Sequence, residues 1–323
     1  MPSPHRTTTS TPETAPVRHD AHAAIEVAGF RKSYDDVIAV DDISFTVDRG
    51  EIFGLLGPNG AGKTTTLECL EGLRRPDVGR LRVFGVDPTR EPRRLNGLIG
   101  VQLQASSLPH TMTCDDAMQF FCAYHGVAAR WDLLDRMGLG EKRDTTFDEL
   151  STGLQRRLAL ALAIAHEPDV LILDEPTAGL DVGSRAELHR LIQELRDAGT
   201  TILLATHDMA EAERMTDRVA ILLRGRIVAV GSPRQLTATG DGLTKISVRS
   251  ERSTLGDGSD LDSVDQAGVS DEYTVVFTRR VAPTIATILE RLDHSEDPLI
   301  DLRVERPSLE ERFLELTAEE QAR

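Results

Sequence analysis

Short runs of apolar and β-branched residues, separated by polar turns, dominate the first hundred positions and predict strands. One of these runs leads into a glycine-rich turn, after which apolar residues recur at helical spacing. The pattern predicts strands at residues 25–30, 43–47, 51–56, 80–84 and 98–103, the last two as a pair, and a helix at residues 63–73.

The strand pattern stops at Thr113 and returns only after Leu150. Between them, "CDDAMQFFCAYHG" and "RWDLLDRMG" have the apolar spacing of helices and predict a helical insertion. Strands and helices then alternate again, which predicts a mainly parallel sheet covered by helices. On the first of these helices, Arg156 and Arg157 are expected to form a solvated face. The predicted elements are a helix after Ser151, a strand at residues 169–173, a helix at 182–197 and a strand at 201–205.

After residue 240 the pattern changes once more and predicts a small α+β appendage with the order β-β-α-β-α. An acidic stretch rich in glycine and serine, residues 253–268, is expected to be a mobile loop between its first two strands. From Gly242 onward there are 10 basic and 18 acidic residues, which excludes a nucleic-acid module. The predicted strands cover residues 243–248, 273–278 and 299–304, and the predicted helices cover 282–292 and 308–316.

The chain therefore divides into three parts. Residues 1–24 are rich in threonine, proline and histidine and lack an apolar core, so we expect a disordered arm and no secretory signal. Residues 25–240 form the predicted α/β domain, with the helical insertion at about residues 105–150. Residues 241–323 form the α+β appendage.

Charge and cysteine content narrow the function classes. The 323 residues have a net charge of −16, and an acidic surface repels nucleic acid because phosphate binding needs a concentrated basic patch. Cys69, Cys114 and Cys122 lack metal-ligand spacing and are expected to be free thiols in a reducing compartment. The longest apolar run is far shorter than the about 20 residues of a membrane span. We expect a cytoplasmic protein whose membrane role, if any, depends on a partner.

The glycine-rich turn "GPNGAGKTT" matches G-x-x-x-x-G-K-[ST] and follows the third predicted strand. Its backbone N–H groups can face phosphate oxygens, and the following helix adds its positive end. Lys63 can reach the β- and γ-phosphates of a nucleotide, and the Thr64 hydroxyl can ligate Mg²⁺. The predicted nucleotide-binding residues of this turn are Gly57, Pro58, Asn59, Gly60, Ala61, Gly62, Lys63, Thr64 and Thr65.

Two adjacent carboxylates follow the apolar run in "VLILDE". An α/β sheet binds its ligands at the C-terminal ends of its strands, where this pair is predicted to lie. We assign Asp174 to Mg²⁺ and Glu175 to the polarisation of the attacking water.

Over residues 25–236 the sequence resembles the ATP-binding cassette (ABC) family, the ATPase subunits of ABC transporters. "LSTGLQRR" stands at the position of the signature that separates this family from other P-loop ATPases. The motifs follow the family's order: Tyr34 at the adenine-stacking position, Walker A at residues 57–64, the Q-loop glutamine at Gln104, the signature around Ser151, Walker B at 170–175, the D-loop at 178–181 and the switch histidine at His207.

The resemblance implies a head-to-tail homodimer that sandwiches two ATP molecules between Walker A of one subunit and the signature of the other. Ser151 and Gly153 would then offer a hydroxyl and a backbone N–H to the partner subunit's nucleotide, and Asp181 of the D-loop would lie at the same interface. Ser151 can also cap the helix that follows it. The chain departs from the common L-S-G-G-Q pattern at Thr152 and Leu154.

The resemblance also implies roles for single side chains. Tyr34 would stack on adenine, His207 would contact the γ-phosphate, and Gln104 would join Thr64 in the Mg²⁺ shell and take part in catalysis. Gln102 is an alternative for the Q-loop position. The implied cofactors are ATP and Mg²⁺.

As a whole, the resemblance implies a P-loop ATPase that energises a separate membrane permease from the cytoplasmic face of the membrane. The permease would dock in a groove between Gln104 and the helical insertion, near "SSLPHTMT". "RPSLEERFLELT" at the end and the P-loop region are similar to bacterial drug and natural-product exporters. Two alternatives stay open: a soluble ABC ATPase without a transport role, and a cassette that binds ATP but turns it over poorly.

Overall fold

The computed structural model describes residues 23–103, 108–238, 243–305 and 307–321, which form thirteen strands and ten α-helices. The strands are β1 (Ala23–Tyr34), β2 (Val37–Asp48), β3 (Ile52–Leu56), β4 (Val78–Val83), β5 (Ile99–Gln102), β6 (Val170–Asp174), β7 (Thr201–Thr206), β8 (Arg218–Leu223), β9 (Arg226–Gly231), β10 (Thr244–Ser250), β11 (Gln266–Ser270), β12 (Tyr273–Thr278) and β13 (Leu299–Glu305). The helices are α1 (Lys63–Leu70), α2 (Pro92–Leu98), α3 (Cys114–His125), α4 (Trp131–Arg136), α5 (Thr152–Ile164), α6 (Val182–Asp197), α7 (Met209–Met215), α8 (Pro233–Ala238), α9 (Val281–His294) and α10 (Leu309–Gln321).

The central sheet has the strand order β5-β6-β7-β3-β8-β9. Its first five strands run parallel, and β9 pairs antiparallel with β8 at one edge. Every residue of β3, β6 and β7 is buried, as expected for parallel strands covered on both faces. The prediction of a mainly parallel α/β sheet is confirmed, and the C-terminal ends of β3, β6 and β7 meet at one edge.

A second sheet, ordered β2-β1-β4, is antiparallel and packs on the central sheet. The rings of Phe45 on β2 and Phe53 on β3 stack with centroids 5.3 Å apart. The predicted pairing of residues 80–84 with 98–103 is wrong, because β4 pairs with β1 and β5 pairs with β6. The first strand begins at Ala23, within the predicted arm, of which residues 1–22 lie outside the described ranges.

The helical insertion consists of α3 and α4 and packs against α5 and α6. Met118, Leu134, Leu158 and Leu188 are fully buried in the shared core. Thr113 begins α3 with a capping box, in which its hydroxyl accepts from the Asp116 N–H and the Asp116 carboxylate accepts from Thr113. The insertion is therefore anchored to the helix that starts at the signature.

The accessory sheet, formed by β10 to β13, has the order β11-β12-β10-β13 and is antiparallel throughout. Strand β11 was not predicted, and the segment expected to be a mobile loop instead places Leu255 and Leu261 in the core beneath α9. Two buried leucines in an otherwise polar stretch give too weak a periodic signal for sequence reasoning to detect.

The last helix leaves the accessory sheet and packs on the larger α/β unit. Leu309, Phe313 and Leu316 of α10 contact a cluster that includes Leu56 of β3 and Ala212 of α7. The predicted appendage of residues 241–323 therefore ends in a helix that completes the apolar surface of the larger unit. Within the described ranges, every helix is too short or too polar to cross a lipid bilayer.

Candidate nucleotide site

The P-loop between β3 and α1 wraps around the ammonium group of Lys63. Lys63 Nζ donates to the carbonyl oxygens of Gly57 at 2.7 Å and Pro58 at 3.3 Å, and the side chain is only 6% exposed. The Gly57 N–H donates to the carbonyl of Thr206 at the end of β7 at 3.3 Å. The loop is thus fixed to the strand that precedes the switch histidine.

Two glycines of this loop are required by its close contacts. A Cβ on Gly57 would lie 2.4 Å from the carbonyl oxygen of Leu222, and one on Gly62 would lie 2.6 Å from that of Ala39. Gly62 also has a φ of +103°, which L side chains rarely adopt. These glycines let the backbone pass between β2 and β8 and present its N–H groups at the start of α1.

The two carboxylates of "VLILDE" lie at the end of β6, both buried. Asp174 Oδ2 accepts from the Thr64 hydroxyl at 3.1 Å, and Glu175 Oε1 lies 3.4 Å from Lys63 Nζ. Burial raises the pKa of Asp174, and the neighbouring charge of Glu175 raises it further, against the hydrogen bond from Thr64. A cation bound here would favour the ionised carboxylate.

Glu175 has a strained backbone and links the strand end to the switch histidine. Its φ is +49°, and its N–H donates to the carbonyl of Ala205 on β7 at 2.9 Å. Its Oε2 lies 2.8 Å from Nδ1 of His207, a side chain that is 54% exposed. The geometry thus brings together Lys63, Thr64, Asp174, Glu175 and His207, as the sequence predicts.

These residues fit a magnesium nucleotide. Asp174 Oδ1 and Glu175 Oε1 are buried and lack a hydrogen-bond partner among the described residues. Mg²⁺ is commonly held by one or two protein ligands together with substrate phosphates and water. Accordingly, the described residues contain no cluster of three or more His, Cys, Asp or Glu side chains that could hold a metal without a nucleotide.

A buried network behind the site joins the segments that follow Glu175 and His207. Glu211 accepts from the Thr177 hydroxyl at 2.6 Å and lies 2.9 Å from His189 Nε2. Burial alone would raise the pKa of Glu211, but hydrogen bonds to His189, Thr177 and Thr206 hold it below its usual value. Sequence reasoning missed this network because its members are separated by 22 to 34 positions.

The signature residues lie at the start of α5, where Ser151 and Thr152 are exposed. Ser151 Oγ accepts from the N–H of Leu154 at 3.4 Å, a weak N-cap. Gly153 is buried, and a Cβ there would lie 2.8 Å from Ser184 Oγ. The first turn of α5 is therefore packed tightly against the start of α6.

Asp181 caps that neighbouring helix. Its carboxylate accepts from the Ser184 N–H at 3.0 Å and from the Ser184 hydroxyl at 2.7 Å, and these bonds lower the pKa of Asp181. The D-loop and the signature thus meet on one exposed surface of the subunit, at Ser184.

The expectation that Arg156 and Arg157 form a solvated face is wrong. Arg156 donates to the carbonyl of Leu103, just before the Q-loop position, at 3.2 Å, and burial lowers its pKa. Arg157 donates to the carbonyl of Met137 at 3.3 Å and to Glu187 on α6 at 3.1 Å. Both arginines therefore tie the signature helix to neighbouring segments.

Two further predicted site residues, Gln104 and Tyr34, are not part of this cluster as described. Gln104 lies outside the described residues; Gln102, its alternative, is buried at the end of β5. Tyr34 ends β1, and two cations lie near its ring centroid, Lys32 Nζ at 5.5 Å and the Arg74 guanidinium at 5.2 Å. The Tyr34 ring thus already contacts cations of its own chain.

A groove opens between the β5 edge of the central sheet and the helical insertion, with a volume of about 460 Å³. Its lining is mostly apolar, and Leu73, Leu103 and Tyr124 at its surface are 67%, 45% and 65% exposed. We call it the insertion groove. Part of the stretch "SSLPHTMT" borders it through Leu108, whereas its two serines lie outside the described residues.

Comparison with known proteins places these features in a family. The ABC transporter family profile matches residues 40–178. The chain is 38% identical over 306 residues to the Nod factor export ATP-binding protein I of Paraburkholderia xenovorans, covering 92% of this chain and 98% of that protein. It is 35% identical over 309 residues to the daunorubicin resistance ATP-binding protein DrrA3 of Streptomyces coeruleorubidus, covering 93% and 98%.

Solved structures match the larger unit. An ATP-binding subunit of an ABC transporter superposes with a TM-score of 0.62 at 28% identity, covering 67% of this chain and 92% of that one. The alignments with the two sequence relatives extend beyond this region and include the accessory sheet. With the P-loop, the paired carboxylates and the signature helix in place, the chain belongs to the ATP-binding subunits of ABC transporters and is an ATPase.

Proposed function

We propose that this ATPase works as a homodimer, hydrolyses ATP with Mg²⁺, and powers the export of a drug or other natural product through a separate membrane permease. The cluster of Lys63, Asp174, Glu175 and His207 at one sheet edge carries the proposal, because it supplies a phosphate cradle, a metal ligand and a base in one place. The cassette of residues 25–240 would perform this chemistry, with residues 241–323 as an accessory part.

In the proposed reaction, Lys63 and the P-loop N–H groups hold the β- and γ-phosphates. Thr64, Asp174 and the Q-loop Gln104 would hold Mg²⁺, which neutralises phosphate charge when bound. Glu175 accepts a hydrogen bond from the attacking water and orients it. Its contact with His207 fixes the carboxylate, and the exposed side of the histidine is free to approach the γ-phosphate.

We assign the second half of each nucleotide site to the partner subunit's signature. The exposure of Ser151 and Thr152 supports this assignment, because their hydroxyls are available to a neighbouring molecule. Asp181 would lie near the same interface, and Tyr34 would stack on the adenine ring.

The insertion groove is the proposed docking site of the permease, which would keep the subunit at the cytoplasmic face of the membrane. Its exposed apolar rim supports the docking of a short helix. The names of the relatives, Nod factor export and daunorubicin resistance, support export as the direction of transport. They also disfavour a soluble ABC ATPase without a transport role.

The test is phosphate release by the purified chain, alone and with its permease in lipid vesicles. We expect turnover in both settings, with stimulation by the permease and dependence on Mg²⁺. Absence of turnover in both settings would refute the energising role, and turnover that is indifferent to every membrane protein encoded nearby would favour the soluble alternative.

A further inference from the structure

One acidic side chain that lines the insertion groove has no role in the proposed nucleotide chemistry. Glu71 follows the last turn of α1, lines the groove and is only 8% exposed. Neither of its carboxylate oxygens has a hydrogen-bond partner in the part of the chain that the structure describes. A buried carboxylate without a partner is costly, so it needs an explanation outside the isolated subunit.

The described lining of the groove supplies no cation for this carboxylate. No lysine or arginine is among the described residues that line it. Its two histidines, His125 and His166, stack on each other with ring centroids 3.7 Å apart, and burial lowers the pKa of both. Burial therefore favours the neutral form of both rings, although His166 Nε2 lies 3.0 Å from the carbonyl oxygen of Ile99, a contact that by itself favours the charged ring.

The surroundings of Glu71 disfavour its ionised form. Burial raises the pKa of Glu71 to about 7, and the charge of Asp174 is the next largest cause, followed by Glu68. A positive charge placed beside Glu71 would therefore favour its ionised carboxylate.

We infer that the insertion groove recognises a short apolar helix of the permease that carries one lysine or arginine, which pairs with Glu71. This inference rests on the proposed function and specifies its partner. The exposed rim formed by Leu73, Leu103 and Tyr124 contacts the apolar side of the helix, while the cation enters the groove. A buried, charge-assisted pair of this kind gives specificity, because a helix without a cation leaves Glu71 buried and unpaired.

The experiment has two steps. The full-length chain is first copurified with the permease encoded beside it, which tests the proposed function alone. Short peptides that tile the cytoplasmic segments of that permease are then titrated against the full-length chain. For each binding peptide, a variant replaces its arginine by citrulline, or its lysine by acetyl-lysine, which removes the charge and retains much of the shape.

We expect loss of the peptide charge to weaken binding to the wild-type chain by about tenfold or more. The same change is expected to alter binding to Glu71→Gln by less than about threefold, because the pair is already broken. Glu71→Asp should restore part of the difference. Glu68→Gln is the matched control, since it removes a more exposed charge that pairs with Arg74 near the same helix end.

The outcomes separate the two proposals. If no permease copurifies and no peptide binds, the proposed function fails and the inference fails with it. Two results would refute the pairing with Glu71 while the proposed function stands, provided that the permease copurifies. In the first, every binding peptide lacks a cation. In the second, loss of the peptide charge reduces the affinity for wild type and for Glu71→Gln equally. A merely structural role of Glu71 would weaken charged and uncharged peptides equally.

Discussion

Buried acids in the nucleotide site and in the accessory sheet are held in opposite ways. Asp297, beside the accessory sheet, accepts four hydrogen bonds at 2.7 to 2.9 Å, from Ser250, Arg252 and Thr254. Asp174 and Glu175 are just as buried, yet each keeps one oxygen without a hydrogen-bond partner among the described residues. Complete satisfaction indicates a structural acid, whereas an unpartnered oxygen indicates an acid that awaits a ligand.

Glu71 belongs with the second group although it lies outside the proposed catalytic cluster. Both of its oxygens lack a partner in the described ranges, and the cost is reflected in its raised pKa. The contrast with Asp297 is instructive because burial acts on both carboxyls in the same direction. Burial alone would raise the pKa of Asp297, but bonds from Thr254, Arg252 and Ser250 hold it well below its usual range.

The sharpest test of the comparison is Glu175→Gln, which keeps the side-chain shape and removes the base. We expect turnover to fall by about 10³-fold, the usual range for a general base, while ATP binding is retained. Because bound ATP is no longer consumed, dimers should accumulate on a sizing column. Glu167→Gln, at an exposed acid paired with Arg130, is the control and should leave turnover unchanged. Wild-type turnover in Glu175→Gln would show that another residue acts as the base.

Lys63→Ala is expected to have the next largest effect. Removing the ammonium group from the centre of the loop should weaken ATP binding by about 100-fold, because charge-assisted contacts to phosphate are lost. Equilibrium titration of ATP measures this directly. Lys245→Ala, in the accessory sheet where the lysine pairs with Glu305, should leave the affinity unchanged. Equal affinities of Lys63→Ala and wild type would contradict the phosphate cradle.

Glu71→Gln sharpens the comparison through pH. The folded-state pKa of Glu71 is about 7, above the ordinary value of 4.5, so the folded state of the wild type loses stability as pH rises through this interval. The variant should therefore be more stable than wild type by about 1–3 kcal/mol at pH values above 7, and should lose this advantage at acid pH. Urea unfolding of wild type and variant, without permease, measures their free energies of unfolding at neutral and acid pH. A difference in stability between the two proteins that does not change with pH would refute a buried Glu71 carboxyl that ionises in this interval.

Asp297→Asn is expected to have the smallest effect on activity. ATP turnover should stay within about twofold of wild type, because the residue lies outside the nucleotide site. Its folded-state pKa lies below the ordinary value of 3.8, so the carboxylate stabilises the fold above that pH and loses its effect as pH falls below it. The thermal midpoint of the variant should therefore be lower than wild type at neutral pH, with the gap narrowing in acid. A large loss of ATP turnover in Asp297→Asn would contradict a purely structural role of this acid.

The proposed catalytic cluster could be placed from the sequence because each of its segments lies at the end of a mostly apolar, fully buried strand. The runs before Gly57, Asp174 and His207 predict buried parallel strands, whose ends meet at one edge. The short helix α2 and the edge strand β11 were missed, since "PRRLNGL" and "QAGVS" contain too few apolar residues to show a period.

Roles that depend on distant partners could not be read in the same way. Glu71 is an acid near a helix end in the sequence, and only the fold places it beneath an apolar groove. Arg156 looks like an exposed helix residue until the Leu103 carbonyl is brought to it from 53 positions away. Such residues become visible when burial and hydrogen-bond partners are known together.

The return of α10 to the larger unit changes how the accessory sheet is connected. Leu309 and Leu316 pack beside Leu56, whose strand leads directly into the P-loop. The accessory sheet is thus connected to the larger unit on both sides in the chain, rather than on one side only. Any displacement of that sheet must pull on both attachments, one of which ends against the strand that positions the phosphate cradle.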